Sequence, residues 1–148
     1  MNKHQHKARK AKNDEFYTLY SDVATEILAH RLQLKGKRVH CPFSDYRCSQ
    51  VVLFLVDFFA ILGLSHLTAT CLDIGGGAWR FDYDGKTATV SRLTQGGSFD
   101  TPEVTEIMHN SDVVIDNPPF SKSRVIFHWL AEAPETNENT MYNYNNVA

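Results

Sequence analysis

The stretch Ser111-Asp112-Val113-Val114-Ile115-Asp116-Asn117-Pro118-Pro119-Phe120-Ser121 decides how this chain reads. Val113, Val114 and Ile115 are a β-branched run of the kind that forms a short buried strand, ending at Asp116. Two prolines follow at its carboxyl end. Neither has an N–H to add to a strand ladder, and each drives the residue before it into an extended conformation. The predicted result is a stiff turn that projects the Asn117 amide and the Phe120 ring off a sheet edge. In an open α/β sheet, that edge is where ligands sit.

Asn117-Pro118-Pro119-Phe120 offers an amide oxygen and a neighbouring backbone carbonyl, both acceptors, beside an aromatic ring. Such a set suits an exocyclic NH2 group on a stacked base, as when an extruded adenine presents its amino nitrogen to a methyl donor. Taken alone, the tetrapeptide also reads as a purely structural turn, so its context carries weight.

A length of 148 residues, 43% of them hydrophobic, is enough for one domain with one core. The formal net charge of -2 excludes a molecule drawn to nucleic acid by its overall charge. No apolar run is long enough to span a bilayer. The basic first residues lack the apolar segment of a secretory signal. Cys41, Cys48 and Cys71 have no metal-ligand spacing, and so few thiols fit a reducing cytosol. The expectation is a cytoplasmic protein without a metal.

Outward from the motif, Val125–Leu130 reads as a helix behind it. Thr101-Pro102-Glu103 opens another, in cap-proline-acid order, running to about His109. Trp79–Tyr83 and Thr87–Leu93 flank Asp84-Gly85-Lys86, which predicts a hairpin with a type I′ turn. Asp82-x-Asp84-Gly85 lacks the remaining ligands of a calcium loop. Ser49–Leu64 reads as one buried helix stopped by Gly63, with Asp45 as its preferred cap. Arg38–Cys41 and Leu67–Leu72 read as strands, and Ser21–Leu34 as a helix ended by Lys35-Gly36-Lys37. Residues 1–12 read as a basic flexible tail, alternatively as an arm on DNA phosphates. Residues 13–133 form the domain, and the Asn-rich 134–148 a disordered tail.

Two strand ends compete for a nucleotide cofactor: Cys71–Gly77 with its three glycines, and Cys41-Pro42-Phe43-Ser44-Asp45. Parallel crossovers need a dozen or more residues each. Only 41 residues separate Gly76 from Asn117, against 76 from Cys41. Arg38–Cys41 is therefore expected as the first strand. Asp73 then ends the second, where a carboxylate accepts from ribose hydroxyls or serves as an ordinary turn residue.

The ordered landmarks resemble the EcoRI-type adenine-specific DNA methyltransferases. The resembling segments are residues 12–18 (Lys-Asn-Asp-Glu-Phe-Tyr-Thr), 34–42, 62–70, 97–103 and 111–121. The resemblance implies an α/β fold with a Rossmann-like methyltransferase sheet and S-adenosylmethionine as cofactor. It implies DNA as substrate, within restriction-modification. It implies that Phe16, Tyr17, Thr18, Cys41, Pro42, Asp45, Asp73 and Asp116 serve the cofactor. Asn117, Pro118, Pro119 and Phe120 would be catalytic, holding the target adenine. Ser98 stands where the family pattern carries an aspartate. Fewer strands can be placed than such a sheet contains. The fold is therefore expected to be incomplete at its carboxyl-terminal side, as a truncated or split form with a second polypeptide supplying the rest. The alternative functions are a non-catalytic S-adenosylmethionine- or DNA-binding module that needs that partner, or an inactive relic.

Overall fold

The computed structural model describes residues 20–118 and 120–133, with the backbone alone at 120. Both predicted tails, with Phe16, Tyr17, Thr18 and Pro119, lie outside the described residues. Helix α1 covers 20–29, and α2 (Arg31–Leu34) follows a turn at His30. Then come β1 (Arg38–Cys41), α3 (Gln50–Asp57), α4 (Phe59–Leu62), β2 (His66–Thr70), β3 (Trp79–Tyr83) and β4 (Ala88–Arg92). The chain continues through α5 (Pro102–His109), β5 (Val113–Val114), a 3-10 turn (Phe120–Lys122) and α6 (Ser123–Ala131).

The strands form one mixed sheet in the order β4-β3-β2-β1-β5. β2 and β5 run parallel to β1 on either side of it. β3 and β4 add an antiparallel hairpin to the outer edge of β2. The α/β expectation holds, and the hairpin expected across Asp84-Gly85 forms. The chain leaves β1 towards β2 and later returns to the other side of β1 as β5. The strand order reverses there, and connections leading away in opposite directions leave a crevice at the carboxyl ends.

Strand alternation gives the sheet two unlike faces. Val39, Cys41, Leu67, Ala69, Phe81, Val113 and Ile115 join Val23, Ile27, Phe54, Leu55 and Leu62 of the helices in one apolar cluster. On the opposite face Val114 packs with Val104 and Met108 of α5 and with Ile126, Trp129 and Leu130 of α6. The Trp129 indole N–H donates to Thr105 Oγ1 (2.9 Å), joining α6 to α5. Between these helices and the hairpin, the second face is polar: His40, Thr68 and Thr70 are all buried. The Thr68 hydroxyl, the Arg80 guanidinium and His66 converge on Asp82 at 2.8, 2.8 and 2.9 Å. Burial alone would raise the Asp82 carboxyl, but Arg80, His66 and Thr68 outweigh it and hold it below the usual value.

Several local expectations change in detail. The predicted single helix over 49–64 breaks at Phe58, which lets Phe59 of α4 meet Tyr83 edge-on at 5.0 Å. Its cap is Ser49, which accepts from the Val52 N–H (3.3 Å), and not Asp45. Gly63 ends α4 in the left-handed region at φ 68°, as a C-terminal glycine should. The hairpin turn is not type I′, because that type needs two positive φ angles and only Gly85 has one. The Asp84 carboxylate accepts instead from the Lys86 and Thr87 N–H groups (2.8 and 2.7 Å), giving a four-residue loop. β2 stops at Thr70, so Asp73 lies beyond the strand and not at its end.

His40 titrates in a way that exposes the polar face to measurement. Its Nε2 lies 2.9 Å from Thr70 Oγ1, and its pKa is lowered from 6.5 to about 3 by burial first and by the Arg80 charge second. The folded chain keeps this ring neutral, whereas the unfolded chain protonates it near its ordinary value. Its contribution to stability is therefore intact above the unfolded pKa and lost as pH falls towards about 3. In denaturant titrations across that window, the stability difference between wild type and His40→Leu should change by about 1.4 kcal/mol per pH unit. A difference independent of pH would show that the ring is not held neutral.

Candidate functional site

The crevice at the switch point is a cleft of about 420 Å³, lined by Pro42, Phe43, Leu72, Gly97, Ser98, Phe99, Asn117, Pro118 and Lys122. The lining comes from the carboxyl ends of β1, β2 and β5, from the loop before α5 and, at Lys122, from the 3-10 turn. β1 delivers Pro42 and Phe43. The extension of β2 delivers Leu72. The loop into α5 delivers 97–99, and β5 delivers Asn117 and Pro118. The walls are aromatic: Phe43 and Phe99 lie 5.5 Å apart, and Trp129 of α6 backs Phe99 edge-on at 5.3 Å. α6 thus braces the cleft from behind, as well as following the motif in sequence.

The polar groups are few and placed. Asn117 Oδ1 is buried and makes no hydrogen bond among the described residues. A buried acceptor without a donor is costly, and such orphans concentrate where a ligand supplies the missing partner. Lys122 adds a cation at the rim. Asp116, immediately before Asn117, is buried and does not face the cleft with a free oxygen. It accepts from the Phe43 N–H (2.5 Å), the Ser44 hydroxyl (2.7 Å) and the Asn117 N–H (2.8 Å). Burial pushes its carboxyl up to about 6, against the pull of these three donors.

The other residues singled out in the sequence distribute unevenly. Pro42, Asn117 and Pro118 line the cleft. Cys41 turns into the apolar cluster, where burial and then the nearby Asp116 charge push its thiol well up. Asp45 is held by Arg47 in a two-pronged pair (2.7 and 3.0 Å), which keeps its carboxyl below the usual range. Asp73 accepts from the Gly75 and Gly77 N–H groups (2.8 and 3.0 Å), closing the glycine turn upon itself. These two bonds lower its pKa. Phe43 and Leu72 fall within the two candidate strand-end stretches without a role of their own, and the sequence assigns no site role to Phe99 or Lys122. The 97–103 segment was a landmark of the resemblance, but nothing in its local pattern says that Phe99 faces Phe43 across the cleft.

A larger groove of about 680 Å³ crosses the polar face, lined in part by Arg38, His66, Arg80, Arg92, Glu103 and Glu106. Two of these charges are spoken for within the chain: Arg80 by Asp82, and Glu103 by the Thr94 and Gln95 N–H groups. The switch-point cleft, with its orphaned acceptor, is the better candidate.

A family model described as "Adenine-specific methyltransferase EcoRI" matches residues 4–84. That span holds β1, β2 and β3 and stops short of Asn117. The Type II methyltransferase M.MpnI of Mycoplasma pneumoniae is 38% identical over 126 residues, covering 85% of this chain and 40% of the relative. M.MgeORF184P of Mycoplasma genitalium is 32% identical over 118 residues, covering 80% of this chain and 37% of the relative. M.EcoRI of Escherichia coli is 33% identical over 141 residues, covering 83% and 43% respectively. The chain thus spans about two-fifths of the length of these curated relatives. No solved structure matches it.

Gly97 is the tightest point of the cleft wall. It has φ 77°, and a Cβ there would lie 2.1 Å from the Cys71 carbonyl oxygen and 2.7 Å from the Ala78 Cβ. Gly96 has a similar φ of 87° and open space around it. Gly96→Ala should lose roughly 1–2 kcal/mol for its left-handed backbone. Gly97→Ala should lose about 1–3 kcal/mol more for the overpacking. Chemical denaturation of the two variants reads the difference directly. Equal losses would mean that the close approach to Cys71 does not exist.

Proposed function

The chain belongs to the EcoRI methyltransferase family, and from that premise we propose that its switch-point cleft serves methyl transfer from S-adenosylmethionine to the exocyclic amino group of adenine in DNA. The observation that carries the proposal is the buried Asn117 Oδ1, an acceptor with no donor among the described residues, at the carboxyl end of β5. An adenine amino group supplies the donor it lacks. The cleft volume falls within the range of small-molecule sites, and its aromatic walls suit a planar base. A Rossmann-like reading of the sheet is part of the same proposal, supported by the parallel β2-β1-β5 core.

S-adenosylmethionine, when bound, supplies the electrophilic methyl group. In this reading the residues around the first strand end hold it: Pro42 in the cleft, the backbone at Cys41, Asp45 and Asp73 in flanking loops, and Phe16, Tyr17 and Thr18 from the chain before α1. Asn117 accepts from the amino group of the target, and the rigid Pro118 fixes the direction of that amide. Pro119 and Phe120 complete the motif. Accepting from the amino group draws its nitrogen lone pair out of conjugation with the ring, which makes it a better nucleophile. The aromatic walls exclude water around it. DNA as substrate, and any second polypeptide that works with this chain, belong to the proposal.

Calorimetric titration of the chain with S-adenosylmethionine should give saturable binding and a raised melting temperature. Asn117→Ala should lower methyl transfer to adenine-containing duplex by about 100-fold or more, the scale of losing a positioned hydrogen-bonding group. Its affinity for the cofactor should stay within about threefold, because the amide is assigned to the target and not the cofactor. A variant as active as wild type would remove Asn117 from the mechanism.

A further inference from the structure

We propose that Asp116 is a positioning residue, a clamp that holds the loop after β1 against the Asn117 turn and so sets the two halves of the cleft relative to each other. The functional part of this proposal rests on the methyl-transfer reading above. The clamp itself rests on geometry alone. Asp116 is 1% exposed, and its three hydrogen bonds come from both sides of the switch point. Oδ2 accepts from the Phe43 N–H, and Oδ1 from the Ser44 hydroxyl and the Asn117 N–H. Phe43 and Ser44 follow β1, whereas Asn117 follows β5.

The clamp continues into the scaffold. The Ser49 hydroxyl donates to Ser44 Oγ (3.0 Å), and Ser49 caps α3. The Ser44 N–H donates to the Thr70 carbonyl (3.1 Å) at the end of β2. One carboxylate therefore joins the carboxyl ends of β5 and β1 directly, and of β2 through Ser44. Both of its oxygens are engaged within the chain, so it acts through Phe43 and Asn117, which line the cleft. Bonds to an ionised acceptor are stronger than those between neutral groups. Asparagine is a poor substitute: one of its two ends is an NH2, which cannot accept from these donors.

The test uses Asp116→Asn and Ser44→Ala in the full chain. In amide hydrogen exchange, the Phe43 and Asn117 amides should lose protection together in Asp116→Asn, by at least about tenfold. With an adenine-containing duplex and S-adenosylmethionine, kcat of Asp116→Asn should fall by about 100-fold, as expected of an ångström-scale misplacement. Its KM for the cofactor should change less than about threefold, because each half of the cleft keeps its own shape. A merely structural role would lower the melting temperature and leave kcat of the folded fraction unchanged. Ser44→Ala keeps two of the three donors, and its kcat should fall by roughly threefold to tenfold with a near-normal melt. That variant decides the matter if Asp116→Asn does not fold. Amides that stay protected, or a Ser44→Ala enzyme with unaltered kcat, would overturn the proposal. If wild type transfers no methyl group, the functional reading has failed, and exchange at Phe43 and Asn117 still decides the clamp.

Discussion

Val39 and His40 of β1 face Val113 and Val114 of β5, and the cleft depends on this parallel pairing. It is short, with Asp112 and Ile115 adding one bond each to the Arg38 and His40 carbonyls at its ends. Yet it brings together two chain segments more than seventy residues apart and points both of their carboxyl ends the same way. Because the chain leaves those ends in opposite directions, the connections after β1 and β5 leave a crevice between them. Phe43 and Asn117 can then share one carboxylate, and Phe43 and Phe99 can face each other. Without the pairing these contacts have no reason to form.

The two faces of the sheet divide the work. The face under α1, α3 and α4 is apolar throughout and supplies the hydrophobic stabilisation. The other face carries buried polar residues that bond one another: His40 Nε2 with Thr70, its Nδ1 having no partner among the described residues, and Asp82 with Thr68, His66 and Arg80. Buried polar groups cost stability when unpaired, but paired ones restrict the register of neighbouring strands. Asp82 accepts from residues on β2 and β3, so a slip of the hairpin against β2 would strand it. The polar row therefore specifies the strand pairing more than it stabilises it.

Much of this was legible in the sequence, for physical reasons. Thr101-Pro102-Glu103 combines a cap, a residue with preset φ and a favourable charge, and α5 begins at Pro102 with Thr101 as its cap. Arg38–Cys41 is bounded by a glycine turn and a proline, and the strand has those limits. Spacing alone placed the first strand at Arg38–Cys41 and not before the glycine turn, and the first strand lies there. What local pattern could not supply was partnership over distance. Nothing near Asp116 says that its oxygens meet Phe43 and Ser44. Asp73 is the local counter-case: the turn-residue reading offered for it agrees with its bonds to the Gly75 and Gly77 N–H groups. The hairpin direction of β3 was signalled by Asp84-Gly85, but the turn type was set by the Asp84 carboxylate, which a dipeptide rule does not include.

Burial also sorts the three thiols. Cys41 lies in the apolar cluster and Cys71 is buried at the end of β2, and burial raises the pKa of both. Cys48 is exposed, in the loop between β1 and α3 that also carries Ser44. Thiolates, not thiols, react with alkylating reagents, so two sulfurs are shielded by the fold and one is open. The chain thus carries a natural attachment point for a fluorophore or spin label. It stands four residues from Ser44, in the loop that Asp116 ties to the cleft.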